Sequence, residues 1–188
     1  MKQLVFMNKL NICVLLLLLL VTINRKADAQ VYYNGKKLGT SRIQGERIGN
    51  LLGAYVTIGL SPANTSKVIE GKQAELVIKD KRPQFIIKFE SKNDRIYMKS
   101  ENIEYIVLVS LQKKSSSRRL RTGKYGLIAG IQTNISEKEF VPISIEESEE
   151  NSGTYLVKPK EKLKKGEYAF YYIRDDIEPK NVYDFCVK

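Results

Sequence analysis

The densest group of chemically useful side chains in this 188-residue sequence is basic. Six cations lie within twelve positions, around a run of three serines; they are Lys113, Lys114, Arg118, Arg119, Arg121 and Lys124. In a turn, such groups bind anions through charge-assisted hydrogen bonds, so the cluster indicates a site for an acidic polymer or the acidic patch of a partner. Two other interpretations remain open. Arg118 or Arg119 could fix the turn by bonding backbone carbonyls or Asp184, or the whole cluster could be a solvated loop.

Groups suited to catalysis are scarce. The sequence has no histidine and no tryptophan, which excludes histidine-dependent serine or cysteine triads and ordinary histidine zinc sites. It contains neither standard Gly-rich phosphate loop. Two carboxyl groups about 5–9.5 Å apart suffice for glycoside hydrolysis, but no acidic pair stands out in the sequence. We therefore predict no catalytic residue, no metal site and no cofactor, with a carboxylate-dependent glycan hydrolase as the alternative.

The first 29 residues have the order of a secretory signal peptide. Two lysines precede an apolar run at residues 10–23, and Ala27-Asp28-Ala29 forms a small-x-small cleavage site. The run is 14 residues long, short of the roughly 20 needed to span a bilayer. We predict cleavage after Ala29 and a periplasmic, extracellular or cell-surface location in a bacterium. An uncleaved anchor is the alternative, which Arg25 and Lys26 favour.

Cleavage would leave residues 30–188, a length typical of one domain. The whole chain has a net charge of +11, and only four of its cations lie in the first 29 residues. Because export separates the protein from nucleic acid, we predict a protein or glycan partner at the cell envelope, no nucleic acid and no transmembrane segment after cleavage. Cys186 would be the one cysteine left, so its burial or its pairing with another chain stays open, as does the oligomeric state.

Short β-type runs separated by turn residues dominate residues 30–188. Asn34-Gly35 predicts a type I′ hairpin, and residues 104–112, apolar on both faces, predict a central strand. Residues 113–121 read as a basic turn. Further strands are predicted at residues 54–60, 73–78, 84–89, 95–98, 140–146, 153–157, 167–173 and 181–187. A total of about eight to ten strands indicates an all-β, immunoglobulin-like two-sheet sandwich at residues 51–188, preceded by a hairpin or edge strand at residues 30–50.

The C-terminal part has the Leu-x-x-Gly-x-Tyr-x-Phe spacing of a tyrosine corner. The tyrosine ring of such a corner enters the core, and its hydroxyl bonds backbone just upstream. We predict structural roles here, with a sugar-stacking platform as the alternative. The residues concerned are Leu163, Gly166, Tyr168, Phe170, Tyr183 and Phe185.

This end of the chain resembles a family of exported bacterial immunoglobulin-like sandwich domains that close with Leu-x-Pro-Gly-Glu-Tyr-Ala-Phe, a loop and Tyr/Phe-Asp-Phe-Gly-Val. The matching residues are Leu163, Gly166, Glu167, Tyr168, Ala169, Phe170, Tyr183, Asp184, Phe185 and Val187. Lys165 and Cys186 depart from the pattern, which has proline and glycine there. Shorter likenesses occur at residues 82–85, 105–109 and 117–120. The resemblance spans about residues 71–188 and implies the fold and export, but no activity.

These features together predict a secreted or envelope-associated binding module without catalysis. A structural subunit that assembles by strand exchange at a sheet edge is the further alternative, beside the glycan hydrolase.

Overall fold

The structure is a computed structural model that describes residues 29–48, 63–89, 103–126, 130–132, 135–151, 153–173 and 179–188. The signal segment up to residue 28 and the strands predicted at residues 54–60 and 95–98 lie outside the described residues. The described part is built from β-strands and two single-turn 3-10 helices, Ile103–Tyr105 and Glu137–Glu139. The all-β prediction is therefore confirmed.

The strands follow one another closely along the described chain. They are β1 (Gln30–Tyr33), β2 (Lys36–Lys37), β3 (Thr40–Ile48), β4 (Ala63–Ile69), β5 (Leu76–Ile78), β6 (Phe85–Lys88), β7 (Ile106–Lys113), β8 (Arg118–Gly126), β9 (Gly130–Gln132), β10 (Phe140–Val141), β11 (Ile143–Glu147), β12 (Thr154–Pro159), β13 (Gly166–Tyr172) and β14 (Asn181–Val187).

The smaller sheet has five antiparallel strands in the order β11-β12-β6-β1-β2. Its β1–β2 hairpin turns at Asn34 and Gly35, whose φ angles are +48° and +75°. Positive φ at both central positions is what a type I′ turn requires, and asparagine and glycine tolerate it best. The predicted hairpin is confirmed.

The larger sheet closes on itself. Its strands run β7-β13-β14-β3-β4-β8, and β8 pairs back to β7 through Gln112 with Arg119 and Lys113 with Arg118. This pairing makes a six-stranded barrel, to which β10, β9 and β5 add at β7, β8 and β14. The described residues thus form two sheets, as predicted, but one of them closes into a barrel. Closure satisfies the edge hydrogen bonds that an open sandwich sheet would leave exposed.

The segment predicted to be a basic turn at residues 113–121 is partly strand. Lys113 ends β7, residues 114–117 form the turn, and β8 begins at Arg118. The prediction was wrong beyond Ser117 because the apolar alternation that marks a strand is absent where the inward positions are polar. The nine-residue strand β3 lies within residues 30–50, predicted as a hairpin or edge strand, and it pairs with both β14 and β4.

The buried apolar side chains form two clusters, because successive residues of a strand point to opposite faces of the sheet. One fills the space between the small sheet and the barrel, where the Phe85 ring lies 5.0 Å from Phe170 and 4.7 Å from Phe185. The other lies inside the barrel and includes Val109 and Tyr171. The barrel wall of β7, β13 and β14 therefore buries both of its faces, which explains why residues 104–112 read as a central strand.

Some predicted strands that are neighbours in sequence, or parts of one predicted strand, belong to different sheets. The strands predicted at residues 73–78 and 84–89 do not pair with each other, because β5 pairs with β14 in parallel and β6 belongs to the small sheet. The strand predicted at residues 140–146 divides at Pro142 into β10 in the barrel sheet and β11 in the small sheet. Proline lacks the N–H that a continuous ladder would need there.

The tyrosine corner at the start of β13 has the contact that its spacing predicts. The Tyr168 hydroxyl donates a hydrogen bond to the Lys164 carbonyl at 2.8 Å, and its ring stacks on Phe185 with centroids 5.6 Å apart. A Cβ at Gly166 would meet the Tyr168 ring at 3.7 Å. Leu163 is buried, and its N–H is bonded to the Lys81 carbonyl at 2.7 Å.

Candidate functional site

A buried charged network occupies one end of the barrel interior, and Arg118 is at its centre. The guanidinium is 1% exposed and donates to Asp184 of β14. It also donates to the Gly71 carbonyl at 3.1 Å and the Ser41 hydroxyl at 3.1 Å. Ser41 in turn donates to the Asp184 carboxylate at 2.9 Å. The network joins β3, β8 and β14, so it holds together strands that lie far apart in sequence.

The predicted basic cluster is divided by the alternation of β8. Arg118 points into the barrel, which makes it unavailable to an external anion and matches the interpretation in which it bonds backbone carbonyls and Asp184. Arg119 and Arg121, one and three positions after Arg118, face outward. The Arg121 side chain is 39% exposed, with its Nε 4.0 Å from Glu139, whose other oxygen accepts from Ser110 at 2.8 Å.

The lysines of the cluster separate as well. Lys114 is exposed in the turn between β7 and β8. The Lys124 side chain lies outside the described residues. Lys113, the last residue of β7, stands at the mouth of the barrel, beside a cleft. The fold therefore does not assemble the predicted patch of six as one surface.

The cleft at this mouth is the best candidate site in the described part of the chain. It has a volume of about 580 Å³, opens to solvent, and forms where β7 ends, β13 begins and β14 ends. Three lysines come to it from these three places. Its lining residues are Gln73, Leu111, Lys113, Lys165, Gly166, Glu167, Cys186, Val187 and Lys188.

The floor of the cleft is a row of neighbours across three strands. Glu167 of β13 stands opposite Leu111 of β7 on one side and opposite Cys186 of β14 on the other. Residues paired in this way place their side chains on the same face with Cβ atoms about 4.5–5.5 Å apart. The strand register alone thus puts a carboxylate beside a thiol.

Glu167 links the cleft to the buried network. Its Oε2 accepts a hydrogen bond from the Ala74 N–H at 2.9 Å and lies 3.7 Å from the Arg118 Nη1. The residue is 3% exposed, and its Oε1 is buried without a hydrogen-bond partner. The Arg118 guanidinium is thus shared by the Glu167 and Asp184 carboxylates.

Cys186 is a free, buried thiol in the cleft wall, 7% exposed. Burial raises its pKa above the ordinary value, and the neighbouring Glu167 carboxylate raises it further; Lys113 and Lys188 oppose the shift. The thiol therefore stays protonated and weakly nucleophilic near neutral pH, since the thiolate is the reactive form.

Glu167 is the one carboxylate side chain among the residues lining the cleft, whereas glycoside hydrolysis needs two. No group of three His, Cys, Asp or Glu side chains in the described part of the chain is arranged to hold a metal ion. A search of the same residues finds no helix with the length and apolar character needed to cross a membrane.

Comparison with known proteins adds no assignment. No protein-family model, no curated protein and no solved structure matches the chain.

Sequence reasoning found one residue of the cleft, Lys113, and missed its other charged groups. Lys165 appeared only as a departure from the family pattern, and Glu167 only as one of the residues that match it. One available signal was the hairpin of β13 and β14: once its register is known, Glu167 must face Cys186. Placing Lys113 beside Glu167 and Cys186 also requires knowing that β7 pairs with the other side of β13, which the sequence does not indicate.

Proposed function

We propose that this protein is an exported, non-catalytic binding module that holds an acidic glycan in the cleft at the barrel mouth. The observation that carries the proposal is the convergence of Lys113, Lys165 and Lys188 on one concave surface. Cations from separate elements that point at one cleft raise the local concentration of anionic groups. A volume of about 580 Å³ lies within the range of about 300–1,000 Å³ usual for small-ligand sites. Such a space suits one or two sugar units of a longer chain.

The export and family parts of the proposal have separate support. The charged start, apolar run and small-x-small site precede Gln30, where β1 begins. The hydrogen bond between the Tyr168 hydroxyl and the Lys164 carbonyl supports the resemblance, because immunoglobulin-like sandwiches have a tyrosine corner of this kind. We infer a divergent member of the exported sandwich family, in which the larger sheet has closed into a barrel.

The test is salt elution from immobilised heparin, an acidic polysaccharide, using the exported form of the protein. The cleft variant replaces Lys113, Lys165 and Lys188 with serine. Its matched control replaces Lys36, Lys37 and Lys160, which are exposed on or beside the small sheet, so both variants lose three positive charges. The cleft variant should elute at clearly lower salt than the control, because its contacts are specific to one site and screened by ions.

A second variant, with Arg119 and Arg121 changed to serine, tests the outer wall of β8. It should elute near the wild-type position. Equal elution of the cleft variant and its lysine control would show that binding follows net charge and would remove the cleft from the proposal. A larger loss for the β8 variant would move the site to the outer wall.

A further inference from the structure

The Glu167 Oε1 atom is buried, and no group in the described part of the fold gives it a hydrogen bond. Native proteins pair the great majority of their buried polar atoms, and leaving a buried acceptor without a partner has a substantial free-energy cost. Here the carboxylate is 3% exposed, and one of its two oxygens makes no hydrogen bond. Such an atom at the floor of an open cleft indicates that something from outside completes it.

The protein itself offers this oxygen no strong donor. Arg118 and the Ala74 N–H are directed to Oε2. Cys186 is adjacent across the strand pair and interacts electrostatically with the carboxylate, but a thiol is a weak donor. A strong O–H or N–H donor would have to enter through the cleft that Glu167 lines.

The surrounding charges decide which donor fits. A ligand ammonium group would be attracted by Glu167 but repelled by the three lysines of the rim. An acidic molecule that carries a neutral hydroxyl avoids this repulsion. Its hydroxyl can donate a hydrogen bond to the Glu167 carboxylate while its acid group faces the lysines.

We propose that Glu167 forms a hydroxyl-recognising subsite, and that the ligand is a hydroxylated organic acid of the uronic acid class. This inference rests on the proposed function and defines its ligand more closely. The carboxylate of the sugar acid lies among Lys113, Lys165 and Lys188. A ring hydroxyl reaches the floor and donates its hydrogen bond to the Glu167 Oε1.

The experiment compares two probes of equal charge and equal ring size, D-glucuronate and cyclohexanecarboxylate, which differ in their hydroxyl groups. Binding to the exported form is measured by NMR chemical-shift titration. Wild type should bind glucuronate at least about tenfold more tightly, since a hydrogen bond to a charged group discriminates at that level or more. In Glu167→Gln the ratio should fall, because a neutral amide forms a weaker hydrogen bond with the ligand hydroxyl than a charged carboxylate does.

The matched control is Glu139→Gln. Glu139 is also a buried carboxylate, 8% exposed, but it lies on the outer wall and accepts from Ser110. Its substitution should leave the glucuronate preference intact. The urea midpoint of each variant establishes that it is folded.

A second measurement needs only the wild-type protein and therefore does not depend on how well the variants fold. Glucuronate should slow alkylation of Cys186 by iodoacetamide, and cyclohexanecarboxylate should slow it less.

The outcomes separate this inference from the proposed function. If both acids bind equally and both lose affinity in the lysine variant, the anion site stands and the hydroxyl subsite is overturned. If glucuronate preference depends on Glu167 but not on the lysines, the subsite stands and the proposed acidic glycan does not. If neither acid binds or protects Cys186, both are overturned, and Oε1 is completed by solvent only.

Discussion

At the scale of single residues, Arg118 is the residue whose role differs most from that of its neighbours in sequence. It lies in a run of cations, yet it is buried at 1% exposure and bonded to Asp184, Ser41 and two backbone carbonyls. A guanidinium can do this because its planar fork presents five donors in fixed directions. The cost of burying the charge is offset only while these partners are present.

The first prediction concerns removal of this guanidinium. Arg118→Ala should lower the free energy of unfolding by about 3–5 kcal/mol, because it leaves the Asp184 carboxylate buried and uncompensated. Arg118→Lys should recover only part of the loss, since an ammonium cannot reproduce the fork. Urea denaturation measures both. Lys114→Ala, at an exposed position four residues earlier, is the control and should change stability by no more than about 0.5 kcal/mol. A loss of that small size for Arg118→Ala would contradict the network.

The second prediction concerns the reactivity of Cys186. Its pKa is raised above the ordinary thiol value, first by burial and then by Glu167, so the pH at which alkylation reaches half its maximal rate should lie above that of the unfolded chain. The raised pKa also means that the folded state binds the proton more tightly. Its stabilising contribution is complete below the ordinary thiol pKa and is lost as the pH rises through the raised value.

Iodoacetamide labelling between pH 7 and 11, with the Cys186 peptide followed by mass, measures this shift directly. The same protein in urea supplies the unfolded reference. Glu167→Gln removes the carboxylate but not the burial, so its midpoint should fall between the two. Coincident profiles for folded and unfolded protein would show that the thiol is not held in the cleft wall as described.

At the scale of elements, alternation along a strand determines which neighbouring residues act together. Arg118 and Arg119 are adjacent in sequence but lie on opposite faces of β8, whereas Lys113 and Lys188 are distant in sequence and border the same cleft. Strands with regular apolar alternation, such as β13 and β14, were predicted well. β8 was missed because its inward positions include Arg118, which belongs to a polar network with Ser41 that no local pattern indicates.

The third prediction addresses how β13 is anchored. Tyr168 is 6% exposed and stacks on Phe185, so Tyr168→Ala should cost about 3–5 kcal/mol, the range for emptying a large aromatic site. Tyr168→Phe keeps the ring and loses the bond to the Lys164 carbonyl, for about 0.5–1.5 kcal/mol. Denaturant titration of the pair separates packing from hydrogen bonding. Similar losses for the two variants would mean that the ring itself contributes little.

At the scale of the whole molecule, barrel closure creates the site. The cleft exists because the ends of β7, β13 and β14 meet at one mouth, and the closing contact of β7 with β8 places the Arg118 network beneath it. An open sheet would keep the row of Leu111, Glu167 and Cys186 but would lack the β7–β8 pairing that brings Arg118 beneath it. The proposed ligand therefore depends on a feature that belongs to the complete barrel and to no single strand.

The fourth prediction concerns export. If Ala27-Asp28-Ala29 is cleaved, the exported protein should begin at or near Gln30, which is also where β1 begins. Intact-mass measurement of secreted material decides this, with no lipid adduct expected. A mass that includes residues 1–26 would instead indicate an uncleaved anchor.

The sequence by itself determined what depends on near neighbours. Turn chemistry at Asn34-Gly35, apolar alternation in β7 and the spacing from Leu163 to Phe170 each act over a few residues, and each has the local structure that it predicted. Only the tertiary structure decided the rest. Burial of Arg118, the pairing that closes the barrel, and the meeting of Glu167 with Cys186 and three lysines all depend on contacts between strands far apart in the chain. The free energy that selects them comes from the whole set of strand pairings, which no segment contains alone.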